Sequence, residues 1–219
     1  MKYLVDYLRY ISYLFVFIGF SLAHAGSYDD FFQAVMRDDD AKVSQLIARG
    51  FDANTMGSTG APGLLIAIRE PSPKVIGVLL KAPGIRAEVR NAKDESALML
   101  AALAGMRDVC ARLIALDADV NKTGWTPLHY AATGGHDAVI RLLLEHYAYI
   151  DAESPNQTTP LMMAAMYGTP SSVTLLLDAG ADAKLRNAAG LSALDFAQRG
   201  QRPESQAIIE RYLAIMAPQ

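Results

Sequence analysis

The chain has 219 residues, of which 52% are hydrophobic and 20% are charged, and its formal net charge is −3. This composition allows a sizeable buried core and excludes an intrinsically disordered chain. No basic stretch stands out, so we expect no nucleic-acid partner.

Residues 1–25 have the pattern of a secretory signal peptide. A basic start precedes an apolar run over residues 11–20, and Ala23 and Ala25 occupy the small-residue positions of a cleavage site. Residues 11–25 are shorter than the roughly 20 residues that a membrane-spanning helix needs. We therefore expect cleavage between Ala25 and Gly26 and a periplasmic or secreted mature chain without a membrane anchor. Retention of the segment as an uncleaved anchor is the alternative.

Removal of this segment takes away Lys2, Arg9 and Asp6, which changes the net charge from −3 to −4. The only cysteine in the sequence is Cys110, so no internal disulfide can form. In an oxidising compartment, the fold must then be held by packing alone.

A motif recurs through the rest of the chain with a period close to 33 residues. TPLHYAA begins at Thr126, TPLMMAA at Thr159 and SALDFAQ at Ser192, while SALMLAA begins earlier, at Ser96. Fainter copies open at residues 29 and 62, so the motif marks six repeats. We place a repeat domain over residues 26–219, with repeats near 28–58, 59–92, 93–122, 123–155, 156–188 and 189–219.

The residue types within one motif predict a helix and its start. Thr126 is suited to cap the helix N-terminus, and Pro127 is tolerated in the first helical position because its missing N–H has no partner there. Leu128, Ala131 and Ala132 fall on one helical face and are expected to be buried. An apolar second helix follows in each repeat, so each repeat is a helical pair that buries its apolar face only by stacking on neighbours.

The ends of the second helices vary between repeats. Gly50, Gly84 and Gly180 can each supply the left-handed residue that ends a helix. Asp117 and Tyr147 stand in the same place in repeats three and four. Because a tyrosine tolerates the left-handed region poorly, we expect repeat four to end its second helix differently. The loop before Thr126 also lacks three residues, which predicts a short finger there.

The 33-residue period, with T-P-L-H-x-A and a later L-L-x-x-G-A-D, resembles the ankyrin-repeat family. The resemblance implies an all-α solenoid of about six helix-turn-helix units joined by β-hairpin-like fingers. It also implies a protein-binding scaffold that is not an enzyme and that holds its partner on the fingers and on the concave face of the first helices. The chain further resembles small exported ankyrin-repeat proteins of Gram-negative bacteria.

Counting from the motif predicts which residues point outward on the concave face. Leu103, Met166 and Tyr167 are apolar where a solvent-exposed face is usually polar. Trp125 precedes the motif of repeat four, where either an interface anchor or a scaffold role is possible. Tyr130 belongs to an apolar column with a partly buried scaffold role as its alternative. The predicted partner-binding residues are therefore Arg69, Leu103, Trp125, Tyr130, Met166 and Tyr167.

A second candidate surface is the loop from His146 to Tyr149, which carries two tyrosines where the family prefers Gly-Ala-Asp. Its alternative explanation is a repacked loop that fills the space beside the short finger. We rank the concave face first.

No residue pattern indicates catalysis or a metal site. His129 and His136 have structural explanations, the former by tying one repeat to the next as in the ankyrin family. Cys110 aligns with Ile140 in the apolar pattern of the second helices, which predicts a buried thiol. We expect no catalytic residue, no metal ligand and no cofactor.

The leading hypothesis for function is a monomeric, non-catalytic interaction scaffold in the periplasm with a protein partner. One alternative is an immunity protein that neutralises a secreted toxin. Another is an accessory factor that protects a periplasmic enzyme such as a catalase.

Overall fold

The computed structural model describes residues 26–216, which divide into two compact units over residues 26–85 and 86–216. The predicted signal peptide over residues 1–25 lies outside the described residues. No helix within residues 26–216 is long and apolar enough to cross a membrane.

The first unit contains two helical pairs. They are α1 over residues 26–36, α2 (Asp40–Ala48), α3 (Gly63–Arg69) and α4 (Pro73–Leu79). The ring of Phe31 is fully buried and stacks on Phe51 with 4.6 Å between ring centroids. A Cβ atom at Gly63 would lie 2.7 Å from the Phe31 ring, so the absent side chain lets α3 approach α1 closely.

The second unit contains four more pairs. The inner helices are α5 (Ala97–Leu103), α7 (Pro127–Gly134), α9 (Pro160–Tyr167) and α11 (Ala193–Arg199). The outer helices are α6 (Arg107–Ala115), α8 (Asp137–Glu145), α10 (Pro170–Asp178) and α12 (Pro203–Ile215). Each inner helix packs against the next inner helix, and each outer helix packs against the next outer helix. Six helical pairs in residues 26–216 confirm the predicted all-α repeat fold.

Small side chains allow this close stacking of the inner helices. Ala101, Ala131, Ala164 and Ala197 occupy equivalent positions and are completely buried. An alanine lets the next helix approach without a void and loses no side-chain entropy on burial. The outer helices supply the larger apolar residues, including the buried Leu143.

The predicted caps are present at the inner helices. The Thr126 side chain accepts a hydrogen bond from the backbone N–H of His129, and the His129 ring in turn accepts from the Thr126 N–H. Ser96, Thr159 and Ser192 form the same reciprocal arrangement at α5, α9 and α11. Two otherwise unpaired N–H groups are satisfied at each helix start.

The expectation for the end of α8 is wrong. Tyr147 adopts a left-handed backbone conformation with φ of 61°, as does Asp117 with φ of 62°. The N–H of Ala148 bonds to the Leu143 carbonyl, as the N–H of Ala118 bonds to that of Leu113. Both alanines are buried, and the left-handed conformation of the residue before each of them turns the chain so that the alanine faces the core. Repeat four therefore ends its outer helix as its neighbours do, despite the tyrosine.

The fingers are tight turns. In four of them one backbone N–H bonds to the carbonyl four residues later, at 57–61, 91–95, 154–158 and 187–191. Two isolated antiparallel bridges, Met56 with Pro62 and Arg90 with Ser96, are the hairpin-like element, and residues 26–216 contain no longer strand. The finger of repeat four lacks such a bond within the described part of the chain and is short, as predicted.

Candidate protein-binding surfaces

The outward side of the inner helices in the second unit, here called the inner face, carries apolar residues at the helix ends. Leu103 ends α5 and is 41% exposed, and Tyr167 ends α9 and is 53% exposed. Met166 beside it is half-buried. All three predicted residues are therefore at least partly accessible, at the same end of their helices.

A side chain from the following repeat bonds to the backbone at the end of α5 and at the end of α9. The ring Nε2 of His136 lies 2.9 Å from the Leu103 carbonyl oxygen, which joins repeats three and four. Arg202 donates to the Tyr167 carbonyl at 2.8 Å, which joins repeats five and six. Because these bonds fix the backbones, Leu103 and Tyr167 project from a rigid support.

A glycine lies between the two apolar side chains. A Cβ atom at Gly134, the last residue of α7, would lie 2.9 Å from the Leu103 carbonyl oxygen. A Cβ atom at Gly168 would lie 2.4 Å from the Ala132 carbonyl oxygen. The atoms nearest to the Gly134 Cβ position belong to the His136 ring, at 2.4 Å, so this ring fills the space beside the glycine. Leu103 and Tyr167 lie two inner helices apart, roughly 16–20 Å at ordinary helix spacing. Both exposed side chains can contact apolar side chains of a partner.

Tyr130 lies in the half-buried column of the inner helices. Its hydroxyl donates to Glu95 Oε1 at 3.3 Å, so it links α7 to the finger of repeat three. Burial, reinforced by the Glu95 charge, raises the pKa of Tyr130 to about 12. In the same column Leu100 and Phe196 are buried. These contacts favour the scaffold alternative for Tyr130.

Trp125 packs beneath the short finger. Its ring meets the His129 ring edge-on, with 5.2 Å between centroids, and it is half-buried. His129 is fully buried, and its Nε2 lies 2.8 Å from the Thr158 carbonyl oxygen of repeat five. Burial lowers the pKa of His129 to about 4. Trp125 therefore covers a neutral histidine and still offers part of its ring to solvent.

Arg69 belongs to the first unit, whereas the other five predicted residues belong to the second. It is exposed at the end of α3 and borders a groove of about 380 Å³ between α1, α3 and the finger at 57–61. The groove is lined mainly by apolar side chains, including Tyr28, Phe32, Met36, Leu65 and Ile66.

This groove was not predicted from the sequence. Met36 is 67% exposed. Its sequence position corresponds to those of Leu103 and Met166 in later repeats, and this correspondence could have indicated an exposed apolar residue here. The sequence did not indicate that Phe32 and Tyr28 line the groove, because this depends on how α1 packs against the finger at 57–61. The Tyr28 hydroxyl donates to the Met56 carbonyl at 3.2 Å and holds α1 next to this finger.

Cys110 is fully buried, and burial raises its pKa to about 12, so the thiolate form is strongly disfavoured. Residues 26–216 contain no group of three or more His, Cys, Asp or Glu side chains placed to hold a metal ion.

The family model described as ankyrin repeats (3 copies) matches residues 31–123, 64–154 and 108–187. Notch homolog protein 1 of Xenopus tropicalis is 30% identical over 72% of this chain. The tyrosine-protein kinase Shark of Drosophila melanogaster is 29% identical over 84% of this chain. The chain spans only 7% and 20% of the lengths of these two proteins.

Two solved structures resemble the fold. The human ASB11 ankyrin repeat domain has a TM-score of 0.73 and 29% identity, and the match covers 86% of this chain and 83% of that domain. The second is a chain from the complex of a predatory endopeptidase from Bdellovibrio bacteriovorus with an immunity protein. It has a TM-score of 0.71 and 27% identity, covering 83% of this chain and 97% of that one. This chain belongs to the ankyrin-repeat family, whose members are generally non-catalytic scaffolds that bind other proteins.

Proposed function

We propose that this chain is a non-catalytic interaction scaffold of the periplasm and that it binds one partner protein on the concave face. The main supporting observation is the inner face of the second unit, where Leu103 at the end of α5 and Tyr167 at the end of α9 are exposed. Large exposed apolar side chains on an ordered backbone are typical of interface anchors. The periplasmic location rests on the signal-peptide pattern of residues 1–25.

The surface is suited to binding because its backbone is already ordered. The bonds from His136 to Leu103 and from Arg202 to Tyr167 exist without a partner. A partner therefore does not have to order this surface, and more of the contact free energy appears as affinity.

The test replaces Leu103, Met166 and Tyr167 together by serine and measures recovery of proteins from periplasmic extract by pull-down and mass spectrometry. The proposal predicts a protein that copurifies with the wild type and is lost with the triple variant, while both chains unfold cooperatively at a similar temperature. Replacement of Ile215, which is 75% exposed near the end of α12, by serine is the control and should leave recovery unchanged. Equal recovery by the triple variant would place the partner elsewhere.

One of the alternative functions has a specific supporting observation. The similar chain from the Bdellovibrio bacteriovorus structure comes from a complex of an endopeptidase with an immunity protein. The same scaffold in this chain would then neutralise a secreted toxin. Expression of the neighbouring reading frame with and without this chain tests this role, because a toxin partner would impair growth only in its absence.

A further inference from the structure

The loop after α8 exposes two aromatic rings. Tyr147 is 85% exposed and Tyr149 is 68% exposed. Neither hydroxyl has a hydrogen-bond partner among residues 26–216, and neither ring contacts another aromatic ring there. We call residues 145–149 the tyrosine loop.

The backbone of Tyr147 is in a conformation that disfavours tyrosine. Tyr147 occupies the position that Gly180 fills in repeat five. Both residues have a positive φ, 61° at Tyr147 and 99° at Gly180. A bulky residue in this region is uncommon, and the left-handed conformation carries a free-energy cost that glycine avoids. The exposed ring makes no contact within the described chain that offsets this cost.

The alternative explanation, a loop repacked against the short finger, does not fit these exposures. Asn121 belongs to the preceding repeat, and its side chain bonds to backbone atoms of the tyrosine loop rather than to the rings. Its side chain donates to the Tyr147 carbonyl at 2.8 Å and accepts from the Tyr149 N–H at 2.8 Å. The amide therefore fixes both residues while their rings face solvent.

The surroundings of the rings are acidic. The three loops that end the outer helices, at 115–120, 145–153 and 178–183, contain seven carboxylates and no lysine or arginine. Arg90 approaches Asp119 only to 3.9 Å and bonds more closely to Glu88, at 2.7 Å. Arg112, Lys122, Arg141 and Lys184 lie within four residues of these loops along the chain. Lys122 is buried and pairs with Asp94, and Arg141 and Lys184 are exposed.

Two carboxylates beside the tyrosine loop lie close together. The N–H of Asp182 donates to both carboxylate oxygens of Asp151, at 3.1 and 3.3 Å. Burial raises the pKa of Asp151, and the Asp182 charge raises it further. A cation bound here would offset this repulsion.

We infer that the tyrosine loop and the acidic loops beside it bind an arginine- or lysine-rich segment of a partner protein. A guanidinium or ammonium group can lie on the exposed face of a tyrosine ring while it pairs with a carboxylate. Two exposed rings on a fixed backbone and the acidic loops provide both interactions together. This surface is formed by the loops that end the outer helices, and it is distinct from the inner face.

The test uses a fluorescein-labelled hexa-arginine peptide as the probe and fluorescence anisotropy as the readout. Tyr147→Gly combined with Tyr149→Ser should weaken binding by about tenfold, since two cation–π contacts are lost. Gly180 shows that the repeat accommodates glycine at this position, so the variant should fold. The matched control, Leu103→Ser combined with Tyr167→Ser, should bind like the wild type, and a hexa-glutamate peptide should not bind.

Equal binding by the tyrosine-loop variant would overturn the inference, because it would mean that diffuse negative charge alone attracts the probe. Amide chemical shifts give an independent test on the unmodified chain. The inference predicts that hexa-arginine shifts the signals of residues 145–149 and of Asp182. Shifts confined to other residues would contradict it.

Discussion

His129 in repeat four donates through Nε2 to the carbonyl oxygen of Thr158 in repeat five, across 2.8 Å. Its other ring nitrogen accepts from the Thr126 N–H at 3.1 Å. The neutral ring with its proton on Nε2 satisfies both contacts, whereas a doubly protonated ring would lose the second. Protonation would therefore remove the cap contact within repeat four and place a charge in a buried position, whereas the Nε2–H bond to Thr158 would be kept.

Burial of the His129 ring makes stability depend on pH. Burial lowers the His129 pKa from 6.5 to about 4, so between these values the unfolded chain binds more protons than the folded chain. The contribution is fully present above pH 6.5 and is lost as the pH falls towards 4, with a total on the order of 3 kcal/mol. Denaturant unfolding at a series of pH values measures this loss.

A matched variant isolates the histidine. Met162 occupies the same position in repeat five, where its sulfur accepts from the Thr159 N–H at 3.4 Å. His129→Met should therefore keep the helix cap and flatten the pH dependence between 4 and 6.5. An unchanged dependence in this variant would assign the effect to other groups.

Tyr147→Gly should stabilise the chain. Glycine adopts the left-handed conformation freely, and the lost ring makes no contact in the described structure, so we expect a gain of about 0.5–1 kcal/mol in the free energy of unfolding. Thermal unfolding measures this gain in stability. Tyr149→Ser is the control, because the backbone of Tyr149 does not have a positive φ. A clear loss of stability would mean that the ring is packed in solution.

Leu143→Ala should destabilise the stack by about 2–5 kcal/mol, because the side chain is fully buried in α8 and its removal leaves a cavity. Leu144→Ala on the same helix should cost clearly less, since Leu144 is only half-buried. Chemical denaturation compares the two. Equal losses would contradict the assignment of the core face.

Cys110 should be unreactive in the folded chain. Its pKa of about 12 leaves almost no thiolate at neutral pH, and the side chain is inaccessible. Iodoacetamide should label it only in denaturant, as measured by mass spectrometry. Rapid labelling of the native chain would show that α6 opens locally.

Features that depend on a few neighbouring residues could be predicted from sequence. Thr126, Pro127 and Ala131 specify a capped helix with a small buried face, and the structure confirms each. The period then orders the helical pairs, because each pair must bury its apolar side on the next. His129 was likewise assigned to a contact between repeats.

Features in which the conformational preference of one residue competes with tertiary packing could not be predicted from the sequence. At Tyr147 the local preference disfavours the left-handed backbone, but burial of Ala148 and the helix-ending hydrogen bond outweigh it. Tyr130 was predicted at the binding surface with a scaffold role as its alternative, and the bond to Glu95 favours that alternative. The groove beside Arg69 arises from the relative placement of α1 and a finger, which no short pattern encodes.

The most direct measurement of the central claim is hydrogen–deuterium exchange of the chain, alone and bound to the protein recovered from periplasmic extract. The account predicts that bound partner slows exchange in peptides that cover the ends of α5, α7 and α9, around Leu103, Gly134 and Tyr167. Protection confined to the outer helices α6, α8 and α10 would contradict it.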